Sequence, residues 1–231
     1  IKWLEDAVFY EVYPQSFRDS NGDGIGDIPG ITEKLEYIQE LGCNALWINP
    51  CFTSPFYDAG YDVEDYYSVA PRYGTNEDLK KLFEAAHQRG MHVLLDLVPG
   101  HTAVTHPWFQ ESMKAEKNEY TDRYVWTDSL YKRMEDVKGI VSVLRGISPR
   151  PASCGVNCFS TQPALNYGFA NITDAGWQQP TDAPGPMATR EELKNIMRFW
   201  LTLGCDGFRV DMAGSLVKND EDKKETIRLW Q

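Results

Sequence analysis

Cys205-Asp206-Gly207-Phe208-Arg209-Val210-Asp211-Met212 reads as a buried β-strand that carries chemistry at its far end. Side chains alternate across a strand, so Gly207, Arg209 and Asp211 share one face. A cation and a carboxylate at the C-terminal end of an apolar strand are costly to bury unless they are paired. A guanidinium beside Asp211 would hold its carboxyl ionised, and an ionised, oriented Asp can act as a nucleophile. The same two residues also suit an ion pair in a core, so this stretch alone leaves both readings open.

The residues before it supply its helix. Thr189 and Glu192 have capping-box spacing, Leu193, Ile196, Met197, Trp200 and Leu201 follow at helical spacing, and Gly204 closes the run. After it, Asn219 or Asp220 is placed to cap a fourth helix. Upstream, residues 7–13, 45–49 and 92–98 read as strands, the last almost continuously apolar, as a strand covered on both faces should be. Between them lie a helix over about 31–41, ended by Gly42, and a second that starts at a Thr75-Asn76-Glu77-Asp78 cap and stops at Gly90. Strict alternation of strand and helix predicts βα units and a parallel sheet. The third interval between strands is far longer than one βα unit needs, and its excess is rich in Gly, Pro, Ser and Thr. Three segments are therefore expected: 1–100 with strands one to three, 101–171 as an irregular insertion, and 172–231 with the third helix, the fourth strand and the start of the fourth helix.

Composition narrows the partners. The net charge of −11 is unbroken by any basic stripe, which argues against nucleic acid and anionic membranes and leaves a neutral ligand such as a sugar open. No apolar run approaches the ~20 residues of a membrane helix. No signal peptide is present, but the chain starts at Ile1, so the natural N-terminus is expected to be trimmed and either a cytoplasmic or a secreted location is open. Cys43, Cys51 and Cys205 read as small core residues, whereas Cys154 and Cys158, in a loop, could pair or stay reduced.

The out-of-place polar residues cluster after the ends of the predicted strands: Asp19 to Asp27, Asp58 with Tyr61, Asp96 with His101, and Arg209 with Asp211. In a parallel α/β barrel that end carries the active site. Asp19, Asn21, Asp23, Ile25 and Asp27 fall at alternate positions among glycines, a pattern for a hard cation, Ca²⁺ first and Mg²⁺ second. The loop starts like an EF-hand, but Gly30 stands where that motif needs a bidentate Glu; a solvated turn is the other reading. Asp58 could accept from sugar hydroxyls, with Tyr61 as a ring to stack on. Asp96, inside a Leu/Val strand, requires a partner. No zinc spacing, phosphate loop, dinucleotide fingerprint or Gly-x-Ser-x-Gly elbow occurs.

Taken in order, Tyr13-Pro14-Gln15-Ser16-Phe17 with the Asp19–Asp27 loop, Asp58-Ala59-Gly60-Tyr61-Asp62, Tyr73-Gly74-Thr75, Asp96-Leu97-Val98 with His101-Thr102, His106-Pro107-Trp108-Phe109, Gln162-Pro163-Ala164-Leu165-Asn166 and Gly207-Phe208-Arg209-Val210-Asp211 resemble the α-amylase superfamily, glycoside hydrolase family 13. They are most similar to its oligo-α-glucosidase and trehalose synthase branch. The resemblance implies the first half of a TIM (β/α)8 barrel, with the fourth helix incomplete and a domain B insertion after strand three. It implies a retaining α-glucoside hydrolase or transglycosylase acting on α-glucans or maltooligosaccharides. Asp211 would be the nucleophile and Arg209 its orienting cation. Asp58, Tyr61 and His101 would hold the glucosyl ring, Asp96 would support the same wall, and the loop would bind Ca²⁺ structurally. A non-catalytic, sugar-binding or transporter-ancillary relative is the alternative. The chain departs from the family pattern at Gly100, where Asn is frequent, at Ala164, where this branch has Asp, and at Met212-Ala213-Gly214-Ser215, which lacks the Lys-His of many amylases. A retaining glycosidase needs a second carboxyl group, and the family's Glu is expected beyond Gln231, so an N-terminal portion, inactive alone, is the expectation.

Overall fold

Four short segments, Phe9–Val12, Ala45–Ile48, His92–Leu97 and Gly207–Val210, pair in parallel in that order, which is the sheet that strand–helix alternation predicts. The structure, a computed structural model, describes residues 1–132 and 139–231. In chain order the elements are a 3₁₀ turn at Lys2–Asp6, β1 (Phe9–Val12), α1 (Pro14–Phe17), α2 (Ile28–Glu33), α3 (Leu35–Glu40), β2 (Ala45–Ile48), β3 (Phe52–Thr53), β4 (Asp65–Val69), α4 (Asn76–Gln88), β5 (His92–Leu97), α5 (Pro107–Ser112), β6 (Ser142–Leu144), β7 (Cys154–Val156), α6 (Pro184–Leu203), β8 (Gly207–Val210), a 3₁₀ turn at Ala213–Ser215 and α7 (Lys224–Trp230). Part of the insertion expected over 101–171, residues 133–138, lies outside the described residues.

The chain divides into two units. The first comprises Ile1–Ser54, Asp65–Leu97 and Ile196–Val210 and holds the parallel sheet. Leu46 and Ile48 of β2 and Val93, Leu95 and Leu97 of β5 recur at period two and are fully buried, as are Ile28, Ile31 and Ile38 from the first helices and Leu79 and Leu82 from α4. Burying each such side chain contributes roughly 1.5–3 kcal/mol. The opposite face carries Glu11, Trp47, Asp96 and Arg209, in registered pairs Glu11–Trp47 and Asp96–Arg209. Trp200 of α6 fills a gap in this unit, stacked on Phe52 at 5.0 Å and donating its indole N–H to the Tyr66 carbonyl at 2.7 Å.

The second unit comprises Pro55–Glu64, Val98–Asn195 and Asp211–Gln231. Its one described ribbon is the antiparallel pair β6–β7. Val125, Ile140, Ala164 and Phe169 make a small core there, and Phe109 stacks on Trp126 and meets Tyr124 edge-on. All five cysteines are free thiols, so Cys154 and Cys158 are not paired.

Three local expectations need correction. The first helix is two helices meeting at Lys34. It starts early because Asp27 accepts the Gly30 N–H and Pro29 sits in the first turn, where its missing N–H costs nothing. Thr189 does not start the third helix: α6 begins at Pro184, and the Thr189 hydroxyl donates back to the Gly185 carbonyl inside it. Neither Asn219 nor Asp220 is the N-cap of α7, which is Lys223 in the left-handed region at φ 57°. Asp220 still serves that end, its Oδ2 accepting from the Thr226 N–H and hydroxyl at 2.7 Å each. The Thr75 capping box on α4 is present, with both reciprocal bonds made.

Candidate active site

Asp96 lies in β5 with its side chain fully buried, and Arg209 and Trp47 both bond to it. The Arg209 guanidinium donates to both its oxygens, at 3.0 and 3.2 Å, and the Trp47 indole N–H donates to Oδ2 at 3.0 Å. The same guanidinium rests over the Trp47 ring, 4.8 Å from its centre. Asp96, Arg209 and Trp47 thus form one braced group on the non-helical face of the sheet, where each charge finds a partner, as burial demands. Trp47 was not among the residues the sequence pointed to; its only signal was an aromatic ring bearing an N–H inside an otherwise aliphatic strand.

Asp58, Tyr61, His101 and Asp211 all belong to the second unit. His101 is 2% exposed and its Nε2 lies 3.1 Å from the Tyr61 carbonyl oxygen. A carbonyl only accepts, so Nε2 carries the proton. Burial pushes the imidazole down to about 4; the Tyr61 carbonyl and Asp211 oppose that push without cancelling it. His101 is therefore neutral above that value. Unfolded, the ring titrates near 6.5, so the unfolded chain binds more protons between the two values and stability falls as pH drops from about 6.5 to about 4, by about 3 kcal/mol. Denaturant unfolding at pH 7 and pH 4 should show that loss, and His101→Gln should remove it from the pH dependence. An unchanged acid limb in the variant would contradict the assignment.

Asp58 is pushed above the ordinary carboxyl value by burial and by the nearby charges of Asp62 and Asp211, while Gln162 pulls it back. The Gln162 amide donates to Asp58 Oδ2 at 2.6 Å. Asp62, fully buried, ties the same loop by accepting the Tyr57 and Asp58 N–H groups at 2.8 and 3.1 Å. Ala59 and Gly60 both sit at positive φ, which is how the chain turns between Asp58 and Tyr61.

Beneath His101 runs a chain of amides and an amine. A Cβ at Gly100 would come within 2.5 Å of the Asn157 side-chain nitrogen, so a larger residue at 100 requires that amide to move. Asn157 donates to the Gly100 carbonyl at 2.5 Å and accepts from Lys218 Nζ at 2.8 Å; Lys218 also donates to the Ser215 carbonyl at 2.9 Å. Lys218 is wholly buried, and burial pushes its ammonium down to about 7. Gln162, Asn157 and Lys218 were not singled out as site residues from the sequence. Gln162 lay inside a quoted motif, but nothing in residue type or spacing marks a lysine as buried.

The loop from Asp19 to Asp27 is a series of side-chain turns. Asp19 accepts from the N–H groups of Asn21, Gly22 and Gly24, Asn21 from Asp23, and Asp23 from Ile25. Bonds from the Gly24 and Gly22 N–H groups hold the Asp19 carboxyl below its ordinary value. Asp27 is committed to Ser20 and to the start of α2. Among the described residues no three His, Cys, Asp or Glu side chains group as a metal site. A cation here would draw on the Asn21 side chain and the Ile25 carbonyl too, an all-oxygen set that fits Ca²⁺.

A four-stranded parallel sheet of βα units is the arrangement from which α/β barrels are built. The chain belongs to the alpha-amylase catalytic domain family, whose pattern it matches over residues 11–228. It is 38% identical over 217 residues to an oligo-1,6-glucosidase of Bacillus sp. (strain F5), a match covering 94% of this chain and 40% of that protein. It is 41% identical over 231 residues to the trehalose synthase/amylase TreS of Mycolicibacterium smegmatis, covering 97% of this chain and 36% of that one. Among solved structures, the trehalulose synthase MutB from Pseudomonas mesoacidophila MX-45 superposes with a TM-score of 0.78 at 37% identity, covering 93% of this chain and 36% of MutB. A MutB mutant solved with the substrate sucrose gives the same TM-score over 94% of this chain. The chain thus spans about two fifths or less of the length of these relatives. Its sheet is that of the first half of a TIM barrel. No helix among the described residues is long and apolar enough to cross a membrane.

Proposed function

We propose that the protein carrying this chain is a retaining α-glucoside hydrolase or transglycosylase that works on α-glucans or maltooligosaccharides through a glycosyl ester on Asp211. The observation that carries this reading is that Asp211 lies near enough for its charge to act on both Asp58 and His101, the three belonging to one unit. Asp211 attacks the anomeric carbon of the glucosyl group. Arg209, held by Asp96 and Trp47, is the cation that the family resemblance assigns to the nucleophile. Asp58 accepts from sugar hydroxyls and the Tyr61 ring stacks on the sugar, while the neutral His101, with its proton on Nε2, donates to the Tyr61 carbonyl and steadies that loop. The acid that protonates the leaving oxygen, and then the base that activates the acceptor, is a second carboxyl group, as retention of configuration requires. It is not assigned to a residue of this chain. Whether water or a second sugar accepts the glucosyl group decides between hydrolysis and transfer.

The test is the configuration of the first product. The whole protein, given an aryl α-glucoside or a maltooligosaccharide, should release the α-anomer first, as read by proton NMR before mutarotation. A β-anomer, or no turnover of any α-glucoside, would overturn the reading.

The same proposal assigns Ca²⁺ to the loop, held by Asp19, Asn21, Asp23, the Ile25 carbonyl and Asp27. A ligand that binds only the folded state, at a hundred times its Kd, contributes about 2.7 kcal/mol. That is a rise of about 5–10 °C in Tm for a chain of this size. Ca²⁺ should produce such a rise in the wild type and not in Asp19→Asn with Asp23→Asn. Equal melting with and without Ca²⁺ would refute it.

A further inference from the structure

Asp58 meets its ligand, on the reading above, with a carboxylate whose direction its own backbone cannot fix, because two rotatable bonds separate that group from the chain. Something must aim it, and the group that touches it is Gln162. We propose that Gln162 is the positioning residue of Asp58: one donated hydrogen bond fixes where Oδ2 points and leaves Oδ1 to accept from a sugar hydroxyl.

The geometry has three parts. Gln162 is fully buried, so its amide cannot swing out to water. Its own orientation is set from the other side, since its Oε1 accepts the Phe159 N–H at 3.1 Å, while its backbone N–H donates to the Phe159 carbonyl at 2.9 Å. With the amide oxygen committed to a donor, the amide nitrogen has to be the end facing Asp58, which removes the ambiguity of a carboxamide flip. The resulting bond, at 2.6 Å to a carboxylate, is short and charge-assisted. It also opposes the burial and the Asp62 and Asp211 charges that favour the protonated acid. Without it, Asp58 would both lose its direction and hold its proton to higher pH, and a protonated carboxyl is a poorer acceptor for a sugar hydroxyl.

Two variants separate this role from a merely structural one. In Gln162→Leu the donor is gone. The titration of the Asp58 carboxyl, followed by carbon NMR on the full chain and assigned with Asp58→Asn, should move to higher pH, and affinity for methyl α-glucoside should fall about tenfold. That variant leaves the Phe159 N–H without an acceptor and could fail to fold. Gln162→Glu keeps the acceptor, and its second oxygen can donate to Asp58 only when protonated. Affinity for methyl α-glucoside should then survive at acid pH and fall as pH rises, a profile the wild type lacks, with the two carboxyl groups sharing a proton. An unmoved Asp58 titration in both variants would overturn the proposal. A moved titration with unchanged affinity would keep Gln162 as the residue that aims Asp58 and would remove the sugar-binding role of Asp58 instead.

Discussion

Asp211→Asn is expected to lower kcat/KM on an aryl α-glucoside by at least about 10³-fold, equivalent to about 4 kcal/mol of lost transition-state stabilisation. The amide is nearly the same size as the carboxylate, so the backbone that carries it, including Met212 in the left-handed region at φ 47°, has no reason to move. On the function proposed above, what is lost is the negative charge that forms the ester bond and that balances the oxocarbenium-like transition state. KM should change far less than kcat, because a group that acts at the anomeric carbon contributes little to holding the rest of the sugar. A smaller variant, Asp211→Gly, opens space on that face. Azide added to it should attack from the vacated side and give the β-glucosyl azide, the anomer opposite to the normal product. Activity of Asp211→Asn within tenfold of the wild type, or an α-azide from Asp211→Gly, would remove Asp211 from the nucleophile's place.

The largest stability effect is expected at Lys218. Its ammonium is wholly buried, with Asn157 Oδ1 and the Ser215 carbonyl as acceptors. The folded lysine releases its proton at about 7 and the unfolded one at about 10.5. Between these values the unfolded chain binds more protons, so this residue's contribution to stability rises with pH across that window and is flat on either side. The span corresponds to about 4–5 kcal/mol. Lys218→Met removes the titration but strands two acceptors, each costing about 1–3 kcal/mol. Measured by urea unfolding, wild type and variant should therefore be closest near pH 6 and should part as pH rises to 10, with the wild type ahead. Equal differences at both pH values would show that the amine is not buried as a base.

Much of the fold was legible in the sequence because the sheet is simple. The segments over 45–49 and 92–98 are apolar runs bounded by turn residues, and β2 and β5 lie inside them. The Thr75 box announced α4 because its reciprocal bonds are local. Helix starts were less legible where two signals competed. Pro184 and Pro186 open α6, whereas Thr189 and Glu192 offered a plausible cap that the helix passes through. At the site, the residues named from sequence all have definite places, but the bonds that set their charge come from groups far away in the chain. Trp47 reaches Asp96 from the neighbouring strand, 49 positions away, and Gln162 reaches Asp58 across 104 positions. Neither amide nor indole carries a periodic signature, so only the fold reveals the partnership.

Gly100 and Asn157 share a single vacancy: the space that a side chain at 100 would fill is occupied by the amide from 157. The two sites are therefore one unit of variation. Inserting an Asn at 100 without clearing 157 would crowd the wall behind His101, and trimming 157 alone would leave a void beside a buried amine. Relatives that bear a larger residue at the first position should carry a smaller one at the second, and an engineer grafting a donor loop from them has to transplant both together.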